Sequence, residues 1–143
     1  MGAEDYDLRY LGYFECLKRQ RFFEAHAVLE TLWLPQRQGP NGAFYKGLIQ
    51  LAGAFVHWQK NRLGPAVALF GLAHANLIRY PATHEGLNVK GVLAIIDDGL
   101  RRLAAAAPGA CPPLPTGPPP VRLRSPGSSG KRRDGPDGLQ ALL

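Results

Sequence analysis

Residues 43–60 read AFYKGLIQLAGAFVHWQK. Set around a helical wheel at about 100° per residue, they leave little of the circumference polar. Phe44, Gly47, Leu48, Leu51, Phe55 and Trp58 fall on one face, and Tyr45, Ile49, Ala52 and Val56 extend the apolar surface onto a second. Lys46, Gln50, His57 and Asn61 occupy a narrow strip. A helix apolar round most of its girth is a central helix, so the rest of the chain must pack around it. Gly47 sits between Phe44 and Leu51 on the main face, where glycine costs about 1 kcal/mol in helix propensity relative to alanine. That position predicts a close helix crossing.

The flanking segments supply the partners. No stretch alternates apolar and polar residues with period 2, whereas spacings of 3 and 4 recur. Tyr6, Tyr10, Tyr13 and Leu17 predict a first helix over residues 5–19, and a second follows over 21–34. Pro35 and the loop PQRQGPNG end it. Asn61 and Gly64 end the central helix, and Pro65 suits the first turn of a fourth over 65–79, which stops at Pro81. Asn88 is an N-cap for a fifth, carried by Val89, Leu93, Ile96, Leu100 and Leu103. Short connections favour antiparallel neighbours. The expected fold is all-α, a compact antiparallel bundle of about five helices. Ala66, Phe70 and Ala73 have the small–aromatic–small spacing of tetratricopeptide units, which close packing of any antiparallel pair also demands.

Helical spacing ends near residue 107. Four of the 13 prolines precede Pro108, so nine fall in the last 36 residues. Residues 4–106 are therefore read as the bundle domain, and residues 107–143 as a disordered Pro/Gly-rich basic tail with few apolar groups to offset ordering entropy. The net charge of +6 is divided: twelve Lys/Arg against nine Asp/Glu give +3 over residues 1–105, and five against two give +3 over the tail. A body this mildly basic, with its KRR run confined to 131–133, argues against nucleic acid as a partner. Cys16 and Cys111 imply no disulfide framework. The acidic start MGAEDYDLRY is not a secretory signal, and residues 47–59 are too short and polar to span a bilayer, so no membrane is expected and a cytoplasmic location is the default reading.

One polar constellation interrupts the apolar pattern. On the second helix His26 lies beside the stripe of Phe22, Leu29 and Trp33, and Glu30 stands one turn further on, where the two side chains can touch. Gln50 and His57 are seven residues apart on one side of the central helix. Three readings of His26, Glu30, Gln50 and His57 compete. In the first, His26 hydrogen-bonds Glu30 and Gln50 or His57 in a network that fixes helix register. In the second, His26, Glu30 and His57 ligate a divalent metal, as two histidines and a carboxylate do in helical bundles. In the third, His26 and Glu30 form an acid–base pair on a small ligand oriented by Gln50. His74 and His84 read as isolated surface residues, and Asp97 and Asp98 as a solvated face that pairs with Arg101 and Arg102.

The segments FFEAHAVLETLWL, FYKGLIQLAGAFVHWQKNRLGPA and EGLNV resemble the bacterial helical family called domain of unknown function 309. The resemblance covers about residues 10–103 and rests on the block EAHxxLExxW, then GLIQxAxAxxH, then a GN-like turn. It implies that His26, Glu30, Trp33, Gly47, Gln50 and His57 belong to the family's characteristic set. Ala27 departs from it, standing where a second acid is expected, as does the Arg62-Leu63 pair after Asn61. The family brings a fold and no established activity. The expected function is a non-catalytic module that binds a protein partner or small ligand at the polar spot. The alternative is a metal-dependent hydrolase built on His26, Glu30 and His57, with the cofactor a divalent metal of unassigned identity.

Overall fold

The computed structural model describes residues 6–107 and 109–114. Five α-helices run in order among these residues: α1 Leu8–Lys18, α2 Phe22–Trp33, α3 Gly42–Gln59, α4 Leu63–Leu77 and α5 Val89–Ala104. The all-helical bundle expected from the spacing is the observed fold. A single 3₁₀ turn, Leu34–Gln36, extends α2. The helix ends follow local chemistry. The Asp7 carboxylate accepts from Arg9 N at 2.8 Å to cap α1, and the Asn88 side chain accepts from Gly91 N at 2.9 Å to cap α5. Gln20 and Asn61 take positive φ, 58° and 59°, between successive helices, and so reverse the chain in very few residues.

The central position of α3 is observed. Twelve of its 18 residues are buried, including Phe44, Leu48, Leu51, Phe55 and Trp58. It packs most extensively on α4 and then on α2, while α1 lies on α2 and α5 on α4. Phe55 links the layers: its ring stacks on Phe22 of α2 at 4.7 Å and meets Phe70 of α4 edge-on at 5.4 Å. Tyr13 of α1 is buried and donates to the Leu48 carbonyl at 2.5 Å, and burial raises its phenol well above the ordinary range, so it remains a donor. Ala66, Phe70, Ala73 and Leu77 form the buried stripe of α4. The small–aromatic–small spacing is thus a packing stripe.

The structure adds a hairpin that the spacing did not indicate. Strands β1 Thr83–His84 and β2 Leu87–Asn88 pair antiparallel across Glu85 and Gly86, both at positive φ (49° and 73°). Two residues at positive φ make the tight turn whose twist suits a hairpin. Strands of two residues are too short to reveal a period of 2. The hairpin is fastened to the start of α3. The Asn41 amide donates to Glu85 Oε2 at 2.9 Å, and Asn41 Oδ1 lies 2.7 Å from His84 Nε2. Tyr80 donates to the Pro40 carbonyl at 2.8 Å and accepts from Phe44 N at 3.0 Å. That last bond occupies an N–H in the first turn of α3, which has no partner within the helix. Tyr80→Phe is therefore expected to lower stability by about 1–2 kcal/mol. In a urea melt this appears as a lower midpoint with an unchanged slope.

The described chain also continues past the domain end expected at residue 106. Trp58 Nε1 donates to the Pro112 carbonyl at 2.8 Å, and the half-buried Leu114 packs against the core. Residues 115–143, the remainder of the expected tail, lie outside the described residues.

Candidate functional site

Three of the four site residues expected from the sequence line one pocket. The helices α2, α3 and α4 do not close against one another along the polar strip of α3. The gap is open to solvent and has a volume of about 280 Å³. Phe23 and His26 enter it from α2, and Leu69 from α4. From α3 come Lys46, Ile49, Gln50, Gly53, Val56 and His57. Glu30 is half-buried and is not among the lining residues. Gly53 keeps the floor low: a Cβ there would meet Leu69 Cδ1 at 3.3 Å and His26 Cδ2 at 3.9 Å.

The polar groups are connected differently from the expected network. Among the described residues, no hydrogen bond or ion pair joins His26 to Glu30, Gln50 or His57. The ring of His26 instead lies parallel to that of Phe23, with centroids 6.4 Å apart. Gln50 Oε1 accepts from Asn76 Nδ2 of α4 at 2.7 Å, so the bond that fixes register at this point runs from α3 to α4. His57 Nδ1 is buried with no hydrogen-bond partner. The Lys46 ammonium sits 4.4 Å above the Trp33 ring, a cation–π contact that anchors its side chain at the pocket edge.

The second reading, a metal held by His26, Glu30 and His57, does not fit this placement. Among the described residues no group of three His, Cys, Asp or Glu side chains is gathered closely enough to hold a metal ion. A closed or catalytic site needs at least three protein ligands on one centre.

Sequence reasoning placed His84 alone at the surface, whereas it is half-buried between Phe44 and Tyr80, with ring centroids at 4.7 and 4.8 Å. Its partner Asn41 lies 43 positions away, a pairing that local spacing does not carry. Tyr10 joins the same corner by donating to the Glu85 carbonyl at 2.9 Å. Burial, reinforced by Tyr45 and Glu85, holds its phenol well above the ordinary range. These groups satisfy one another and form a structural clasp. His74 is half-buried, with Nε2 3.9 Å from Asp97 Oδ1. Asp98 pairs with Arg102 at 2.7 Å, the expected i, i+4 contact, and also holds Arg101 at 3.0 Å, which that spacing assigns to Asp97. The hydrogen bond from Arg102 leads the causes that hold the Asp98 carboxyl below the usual range. Asn76 was missed, although an asparagine in the interior of an apolar helix, between Ala73 and Leu77, is a readable sign of a polar partner.

These features define a helical domain with a solvent-open pocket at the junction of three of the described helices. The family model described as Domain of unknown function (DUF309) matches residues 10–69, from α1 to the middle of α4, so the family resemblance read from the sequence is borne out over that span. The span contains every lining residue of the pocket. No curated protein and no solved structure matches the chain. No helix among the described residues is long and apolar enough to cross a membrane.

Proposed function

We propose that the protein is a non-catalytic binding module whose α2–α3–α4 pocket receives a small ligand. The observation that carries this reading is the solvent-open gap between α2, α3 and α4, where Lys46, Gln50, His26 and His57 interrupt an otherwise apolar lining. The surroundings suit binding: apolar walls with a few polar groups make up the ordinary composition of a ligand site, and the volume lies just under the usual range of about 300–1,000 Å³. Catalysis is less well supported. His26 and Glu30 do not share a hydrogen bond, so neither orients the other as an acid–base pair requires.

The test is a fragment screen by NMR on the full chain, with Gly53→Leu as the control. The leucine side chain fills the pocket floor. Small fragments should shift signals of His26, Gln50 and His57 in the parent and leave the variant unmoved. Elemental analysis of the purified parent addresses the hydrolase alternative. One equivalent of zinc, manganese or iron would overturn the binding-module reading.

A further inference from the structure

The pocket's charge pattern identifies the chemistry of its ligand. None of its lining residues is an aspartate or glutamate, and the two acids of α2 that flank His26, Glu24 and Glu30, are not part of the lining. Lys46 supplies one full positive charge, and among the described residues its ammonium has no carboxylate partner, only the face of Trp33. Gln50 has committed its carbonyl oxygen to Asn76, which leaves the amide NH₂ as the group it offers. His26 and His57 add two imidazoles. The polar part of the lining is therefore one cation, one free amide donor and two imidazoles, with no anion. The rest of the lining, with Phe23, Ile49, Val56 and Leu69, is apolar, and Phe23 is 65% exposed.

We infer that the pocket takes a small amphipathic monocarboxylate, its anionic head between Lys46 and Gln50, one turn apart on α3, and its short apolar body against Ile49, Val56 and Leu69. This inference rests on the binding reading above and adds the sign of the ligand's charge. A carboxylate accepts from several donors at once and forms the stronger, charge-assisted class of hydrogen bond. One lysine with neutral donors matches a single negative charge. A phosphate carries up to two negative charges and is more often met by arginine forks, and the lining contains no arginine. Gly53 leaves room for the apolar body, because any side chain at that position projects toward Leu69 and His26.

The test compares hexanoate with 1-hexanol, two probes of equal carbon count that differ in charge, on the full chain at neutral pH. The two tryptophans give separate indole N–H signals in NMR. Trp33 carries Lys46, whereas Trp58 is bonded to Pro112. Hexanoate should shift the Trp33 signal and the Gln50 side-chain amide while Trp58 stays still. It should bind roughly tenfold more tightly than the alcohol, the scale of one charge-assisted contact at a half-exposed site. Lys46→Met keeps the apolar stem and should bring the acid down to the level of the alcohol. Gly53→Ala gains helix propensity and narrows the floor, so it should fold at least as well as the parent and bind both probes more weakly. Equal affinity of the acid and the alcohol in the parent would overturn the carboxylate assignment and leave the binding pocket standing. Silence from both probes would overturn the pocket reading itself.

Discussion

Gly47→Leu is expected to lower the free energy of unfolding by about 3 kcal/mol, at the upper end of what overpacking a tight core costs. Gly47 lies on α3 where α4 crosses it. Even an ideal Cβ at this position would come within 2.8 Å of Leu77 Cγ, 3.1 Å of Leu77 Cδ2 and 3.2 Å of Asn76 Cβ. Leu77 is fully buried, so it has no open space into which to move. Displacing Asn76 also strains its 2.7 Å bond to Gln50, which holds the same crossing. The gain in helix propensity from replacing glycine, about 1 kcal/mol, opposes the effect and is too small to reverse it. Gly64→Ala is the control, because a Cβ there has no atom within 4 Å. Urea denaturation of the parent and the two variants reads the result. If Gly47→Leu is as stable as the parent, α4 does not approach α3 as described.

That crossing illustrates what a single sequence makes legible. The glycine on the main face of α3 pointed to a close neighbour, and the wheel that made α3 central also put Phe44, Leu48, Leu51, Phe55 and Trp58 in the core, where they lie. Asn88 as the cap of α5 was equally readable, because a cap is a local bond. The polar strip of α3 was identified correctly as a strip that meets either water or other helices. What it meets was beyond the sequence. Gln50 finds Asn76 at a separation of 26 residues, Asn41 finds His84 at 43, and Trp58 finds Pro112 at 54. Periodicity reports which face of a helix is apolar and carries nothing about which distant residue lies opposite. The i, i+4 spacing of His26 and Glu30 permits contact and does not compel it.

Two polar clusters among the described residues differ in how far they satisfy themselves. At the start of α3, Asn41, Tyr80 and His84 have partners at 2.7–3.0 Å and tie a hairpin to a helix end. A cluster that satisfies itself has no chemistry left to offer. On the opposite side of α3's girth the polar groups of the pocket stay short of partners: His57 Nδ1 has none, and Lys46 rests on an aromatic face.

Truncation after Ala107 is expected to destabilise the protein by about 2 kcal/mol, even though the removed segment is rich in proline and glycine and poor in large apolar side chains. Trp58 is among the largest fully buried side chains, and its indole N–H is satisfied by the Pro112 carbonyl. Without residues 108–143 that donor loses its partner, a loss of about 1 kcal/mol after exchange with water. Leu114 no longer packs against the core, and burial of part of a leucine is worth about 1 kcal/mol more. For a domain of this size the sum lowers the melting temperature by about 8–16 °C. Truncation after Thr116 keeps both contacts and should melt with the full chain. Leu114→Asp in the full-length protein should reproduce about half of the loss, because it removes the apolar contact and leaves the Pro112 carbonyl in reach. Thermal melts of these three variants beside the parent decide the matter. Equal melting of the parent and the Ala107 truncation would place the true end of the folded unit at α5 and show that the return of the chain to Trp58 adds nothing to stability.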